Sequence, residues 1–207
     1  MVAKFRNSGQ TCVCTNRFFV QDGVYDEFVE KLAAASNKLK VGNGLEAGVQ
    51  QGPLIDEKAV EKVEEFIQDA TSKGGKVVTG GKRHELGGSF FQPTVIAGAE
   101  PEMMFMKEEI FGPLAPVFRF KTEEEAIRLA NDTQFGLASY AYTGSLNRAF
   151  RVMEGLKYGM VGINEGLITT VEAPFGGVKE SGLGKEGGHQ GIEDYLDTKY
   201  VCIGGLK

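Results

Sequence analysis

Apolar positions along the chain switch between two spacings, and the switches predict an alternation of strands and helices. Residues 17–20, Arg17-Phe18-Phe19-Val20, are a short β-prone run that stops at Asp22-Gly23. Val24, Phe28, Leu32 and Ala35 then recur at three- and four-residue steps, which is one face of a helix. The clearest helix is predicted over residues 56–73. Val60, Val63, Ile67 and Ala70 line one side, and Glu61, Lys62, Glu64 and Glu65 fill the other. Asp56 is placed to cap its start, and Gly74-Gly75 to stop it.

The alternation continues to the end. Val77-Val78-Thr79 and Thr94-Val95-Ile96 read as strands on either side of a polar, glycine-rich loop. Pro113 and Pro116 flank a further strand that reaches Val117 to Phe120. Thr122-Glu123-Glu124-Glu125 has threonine at a cap and glutamate three later, a capping box that opens a helix through Ile127 and Ala130. Residues 138–142 read as a strand, 145–156 as a helix and 159–163 as a buried strand. A short helix near 191–196 and a strand near 200–203 close the chain. This order predicts an α/β fold with a largely parallel open sheet and flanking helices. The stretch from Glu165 to Gly191 has weak periodicity, and a loop that long in a compact domain is usually functional.

Composition narrows the class. There are 29 glycines in 207 residues, roughly twice the usual share. They follow no Gly-X-Y period, so they belong to turns and close approaches. A net charge of -5 without clustered Lys/Arg argues against nucleic acid and anionic membrane as partners. No apolar run approaches the ~20 residues of a membrane span. Met1 to Arg6 has no apolar signal stretch behind its charges. Three cysteines do not suggest a disulfide framework, and a reducing compartment follows. His84 and His189 lie in unrelated contexts, which argues against a histidine-based metal site.

Four segments carry candidate chemistry. Gly182-Leu183-Gly184-Lys185-Glu186-Gly187 matches G-x-G-x-x-G, but no apolar strand leads into it, so it reads as a glycine-rich turn. In Asn7-Ser8-Gly9-Gln10-Thr11-Cys12-Val13-Cys14, Cys12 reads either as an incidental thiol or as a nucleophile activated by Lys4, Arg6 and a nearby helix start. Cys14 reads as a small buried hydrophobe or as a partner for Cys12. Glu108-Glu109-Ile110-Phe111-Gly112-Pro113 reads as a charged turn or as a carboxylate that accepts from a diol, with an aromatic ring beside it. The loop after the 159–163 strand holds Thr169, Thr170 and Phe175, at the end of a parallel strand where α/β proteins place ligands.

Together these motifs resemble the aldehyde dehydrogenase superfamily, and within it the succinate-semialdehyde branch. The resemblance rests on Phe5 through Cys12, Gly52-Pro53-Leu54, Glu108 to Pro113, Asn131 through Gly136-Leu137-Ala138, and Pro174 through Gly182, in the family's order. It implies an NAD(P)-dependent oxidoreductase that turns a semialdehyde into its carboxylate through a cysteine thiohemiacetal and thioester. By the same resemblance Cys12 is the nucleophile, Glu109 and Phe111 contact the nicotinamide ribose of NAD or NADP, and Phe175 walls the substrate pocket. Arg6 and Thr170 receive the distal carboxylate of a small-molecule aldehyde, and Cys14 is a redox partner for Cys12.

The resemblance further implies that residues 1–190 form the catalytic domain, with the NAD(P)-binding domain and the general-base glutamate lying in a missing N-terminal portion. It implies that 191–207 form an oligomerisation tail of a dimer or tetramer. Cytoplasm is the expected compartment, with the mitochondrial matrix the alternative. The chain alone is expected not to act as a dehydrogenase. The competing expectations are a stand-alone binding or assembly domain and a thiol esterase.

Overall fold

The computed structural model describes residues 1–206. Its elements in chain order are α1 (Val2–Phe5), β1 (Phe18–Gln21), α2 (Tyr25–Ser36), α3 (Glu57–Ser72), β2 (Lys76–Thr79), β3 (Thr94–Ala99), β4 (Leu114–Phe120), α4 (Glu123–Asn131), β5 (Ala138–Ala141), α5 (Leu146–Gly155) and β6 (Met160–Ile163). Short 3-10 turns cover Arg6–Gly9, Asp22–Val24, Met104–Met106, Lys179–Ser181 and Gln190–Tyr195.

Four strands form one sheet in the order β1-β4-β3-β2. The β1–β4 and β4–β3 pairs are parallel, and β2 closes the edge antiparallel to β3. Alternation along β4 builds a three-layer core. Leu114 and Phe118 face α3, where Val60, Val63, Phe66 and Ala70 are buried. Ala115 and Val117 face α2, against Tyr25, Val29 and Leu32. A second, smaller parallel sheet pairs β5 with β6 across α5.

The two predicted caps, Asp56 and Thr122, form, and Ser145 adds a third. Asp56 accepts from the Ala59 N–H at 2.9 Å, and Ser145 from the Arg148 N–H at 3.4 Å. Thr122 accepts from the Glu125 N–H, but the Glu125 carboxylate reaches back to the Lys121 N–H rather than to that of Thr122. Glu123, just inside the same helix, takes Arg148 and Arg151 from α5 and so ties the two helices together.

Three expectations change. The inward face of α2 is Tyr25, Val29, Leu32, Ala33 and Ser36, and Val24 is exposed. The reason is Tyr25, whose hydroxyl donates to Val117 O and accepts from Gly98 N, pulling the helix face around. Pro116 lies inside the central strand instead of flanking it. It withholds one donor, and β4 stays paired on both sides through its other residues. The strand expected near 200–203 is not formed. Among the described residues no ladder partner meets Tyr200, Val201 or Ile203, which are all exposed, and a strand without a partner leaves its backbone groups unpaired. The G-x-G-x-x-G stretch is a run of turns with Gly182, Gly184 and Gly187 at positive φ. Among the described residues, no helix is long and apolar enough to cross a membrane.

Candidate functional site

The segment before Cys12 is a strap in an uncommon conformation. Asn7, Ser8 and Gly9 have φ of 51°, 58° and 75°, three left-handed residues in succession. Its side chains hold it there. Asn7 Nδ2 donates to Gln10 O at 3.0 Å, and the buried Ser8 Oγ donates to Gly52 O at 2.9 Å. Gly9 lies directly on Gly112. A Cβ at Gly9 would sit 2.1 Å from Gly112 O. Gln10 completes the clamp. Its Nε2 donates to Asn7 O and Pro53 O, each at 3.2 Å, and its Oε1 accepts from Ile55 N at 2.9 Å. The Gly52-Pro53 and Gly112-Pro113 motifs are therefore the seats of the cysteine strap.

Cys12 follows with an exposed, free thiol. Thr11 O accepts from Cys14 N, which turns the chain around it. Among the described residues, no hydrogen bond takes up the Cys12 N–H. Cys14 is half-buried and free, and its Sγ contacts Arg6 O at 3.8 Å. Val13 is buried, and its carbonyl accepts from Tyr140 Oη at 2.8 Å. Burial pushes the Tyr140 phenol up to about 12, so it stays protonated and serves as an anchor.

Cys12, Cys14, Glu108 and Glu109 line one cleft of about 380 Å³, whose far wall is β5. Asn16 forms part of its floor. The structure thus brings three of the sequence-predicted site residues together: Cys12, Cys14 and Glu109. Phe111, 40% exposed with φ 49°, follows Glu109 at the cleft's edge but does not line it. Arg6 is half-buried beside Tyr140, outside the cleft. Thr170 and Phe175 are also outside it. The Thr170 hydroxyl donates to Glu172, and Phe175 bridges to Glu186 through paired backbone hydrogen bonds. No hydrogen bond joins Arg6 to Thr170 among the described residues.

The exposed Glu109 carboxylate, in the cleft that Cys12 also lines, suits the ribose end of a nicotinamide dinucleotide, since a carboxylate accepts from both hydroxyls of a diol. Residues for the rest of such a molecule are not gathered in this cleft.

Several residues of the site carry no periodic signal in the sequence. Asn16 is a single amide whose partners all lie more than 80 positions away, and Gln10 is one that reaches over 40 positions to Pro53 and Ile55. Arg17 is another. Its guanidinium donates to Leu129 O and Ala130 O, the last carbonyls of α4, and to Tyr158 Oη. It ties the last turn of α4 and the segment before β6 to the cysteine segment. Their only clue in the sequence is position, Gln10 inside the cysteine motif and Asn16 and Arg17 straight after it.

Lys4 is 1% exposed on α1, and burial pushes its ammonium down to about 8, partly offset by Cys14 and Glu109. The unfolded chain, with the usual value of 10.5, then holds this proton where the folded chain has released it. Lys4 therefore adds a rise in stability with pH between about 8 and 10.5, on the order of a few kcal/mol. Urea midpoints followed by circular dichroism at pH 7.5 and 10 should show Lys4→Met losing that rise. Equal pH slopes in both proteins would contradict it.

Comparison with known proteins identifies the family. The aldehyde dehydrogenase family model matches residues 1–201. A glutarate-semialdehyde dehydrogenase of Pseudomonas aeruginosa is 64% identical over 206 residues, all of this chain and 43% of that protein. The NADP(+) succinate-semialdehyde dehydrogenase of Escherichia coli K12 is 62% identical over 99% of this chain and 42% of its own length. The crystal structure of succinate-semialdehyde dehydrogenase from Burkholderia pseudomallei superposes with a TM-score of 0.96 at 63% identity, covering 97% of this chain and 42% of that one. The chain spans less than half the length of these relatives. With its motifs, its fold and nearly its whole length matched, the chain belongs to the aldehyde dehydrogenase family.

Proposed function

We propose that this chain is the catalytic portion of an NAD(P)-dependent dehydrogenase that oxidises succinate semialdehyde to succinate. The observation that carries the reading is the exposed Cys12 thiol, held by a left-handed strap at the mouth of a cleft it shares with Glu109. The names of the relatives, both acting on semialdehydes that carry a carboxylate, point to the substrate class.

Cys12 Sγ, as thiolate, attacks the aldehyde carbon and forms a tetrahedral thiohemiacetal. The Cys12 N–H, free of any protein acceptor among the described residues, faces the developing oxyanion. NAD(P)+, when bound, supplies the hydride acceptor. Glu109 would hold it by accepting from the ribose hydroxyls. Loss of hydride leaves a thioester on Cys12. Water then cleaves the C–S bond, releasing the acid and restoring the thiol. The base that activates this water belongs to the portion of the relatives that the chain does not span.

Arg6 is the proposed receptor for the distal carboxylate, with Thr170 proposed as a second contact and Phe175 as a wall. A guanidinium fork pairs a carboxylate in a bidentate way that lysine cannot reproduce. Arg6→Ala in the complete dehydrogenase is expected to raise KM for the semialdehyde at least about tenfold, with an uncharged aldehyde of the same length little affected. Equal changes for the two aldehydes would remove Arg6 from this role. The Thr170–Glu172 hydrogen bond must yield for Thr170 to serve, because a carboxylate already occupies its donor.

Cys14, across a tight turn from Cys12 and in the same cleft, is the proposed redox partner. Peroxide would take two electrons from the two thiols, giving a disulfide and two waters. Inactivation by peroxide should reverse with dithiothreitol, and Cys14→Ala should lose the reversal. A Cys14→Ala enzyme that recovers as before would exclude the switch.

A further inference from the structure

Glu109 stands in a segment with no regular secondary structure. Residues 108–113 belong to no helix or strand, and Phe111 is left-handed. A cofactor-contacting carboxylate on such a segment needs something to hold it at a set distance from the nucleophile. One side chain supplies the connection. Asn16 Nδ2 donates to Phe105 O at 2.9 Å and to Glu108 O at 3.0 Å, and Asn16 Oδ1 accepts from Ile110 N at 2.8 Å. Both peptide groups that flank Glu109, the Glu108 carbonyl and the Ile110 N–H, thus end on one amide. Both Asn16 N–H donors and its carbonyl are engaged.

Asn16 is itself fixed on the nucleophile's side. It lies four residues after Cys12, and the Arg17 fork on the end of α4 anchors the chain behind it. The path from thiol to carboxylate therefore runs through a short segment and one rigid amide. Gln10, on the other side of Cys12, makes as many hydrogen bonds, but all of them within the strap or to Pro53 and Ile55. Gln10 shapes the nucleophile strap, whereas Asn16 spans the two halves of the reaction.

We infer that Asn16 is a positioning residue that sets the Glu109 turn relative to Cys12, so that hydride transfer depends on it while acyl chemistry at Cys12 alone does not. The inference rests on the proposed roles of Cys12 and Glu109. Hydride moves only if the carbon held by Cys12 and the acceptor held through Glu109 meet at transfer distance. A misplacement of about 1 Å can cost on the order of a hundredfold. Hydrolysis of an activated ester by Cys12 makes no such demand.

The test uses the complete dehydrogenase carrying Asn16→Asp or Asn16→Ala. Aspartate keeps the shape but sets a carboxylate oxygen against the Phe105 and Glu108 carbonyls. Alanine leaves three backbone groups unpaired. Both variants should lose at least about tenfold in aldehyde oxidation and gain at least about tenfold in KM for NAD(P)+, while hydrolysis of 4-nitrophenyl acetate stays within about twofold. The isotope effect on kcat/KM with aldehyde deuterated at C1 should rise, because hydride transfer becomes the slower step. Gln10→Ala should lower both activities together. Retained ester hydrolysis is also the control for folding. Parallel loss of oxidation and ester hydrolysis in both Asn16 variants would mean a merely structural role and overturn the inference. So would unchanged KM and isotope effect. A Cys12→Ala enzyme measured alongside separates the two claims, since undiminished oxidation there would remove the nucleophile assignment and this inference with it.

Discussion

Cys12→Ala is expected to lower semialdehyde oxidation in the complete dehydrogenase by roughly three orders of magnitude or more, as removal of a covalent nucleophile does. The substitution removes only the sulfur. Val13 stays buried, the Tyr140 hydroxyl still holds its carbonyl, and the strap keeps its contacts to Gly52 and Pro53. Thermal unfolding should therefore be nearly unchanged, and substrate binding should survive loss of turnover. Steady-state oxidation read at 340 nm, with equilibrium binding of the semialdehyde beside it, checks both halves. Substantial turnover by Cys12→Ala would require another route to the acid, and the thiohemiacetal pathway would fall.

Gly9→Ala should have the largest effect on the fold around the site. Two independent constraints meet there. The backbone has φ +75°, and an added Cβ would lie 2.1 Å from Gly112 O. The first costs about 1–2 kcal/mol and the second about 1–3 kcal/mol or more, because the obstacle is backbone and not a side chain that can swing away. A loss of roughly 2–5 kcal/mol is expected in chemical denaturation followed by circular dichroism, the chain having no tryptophan to report by fluorescence. The strap would lift from Gly112-Pro113, and aldehyde oxidation should fall with it. An unchanged denaturation midpoint would show that Gly9 and Gly112 are not in this contact.

Much of the fold is legible in the sequence wherever a pattern is repeated along one element. The α3 helix is the best case: four predicted inward positions, Val60, Val63, Ile67 and Ala70, are all buried, and Asp56 caps it. In α2 the same reasoning finds the helix and misjudges its rotation, because a single tertiary hydrogen-bonding group, Tyr25 Oη, outweighs a weak apolar periodicity. The tail shows the opposite limit. Tyr200, Val201 and Ile203 have strand-forming side chains, but strand formation depends on a partner that local sequence does not contain.

The site divides along the same line. Cys12, Cys14 and Glu109 stand out in short motifs, and they share one cleft. The residues that set their spacing do not stand out. Asn16 reaches across 94 positions to Ile110, and Gln10 across 45 to Ile55, and one amide in a polar stretch announces neither contact. What the sequence does hold is the co-occurrence of Gly52-Pro53, Gly112-Pro113 and the cysteine strap. The structure brings the three into contact.

In the proposed reaction Cys12 carries the substrate carbon as a thioester. Rapid acid quench of the complete dehydrogenase turning over succinate semialdehyde with NAD(P)+, followed by peptide mass spectrometry, tests it directly. A succinyl adduct is expected on the peptide containing Cys12, absent without cofactor and absent in Cys12→Ala. An adduct confined to another residue, or full turnover with no acyl-enzyme at any quench time, would contradict it.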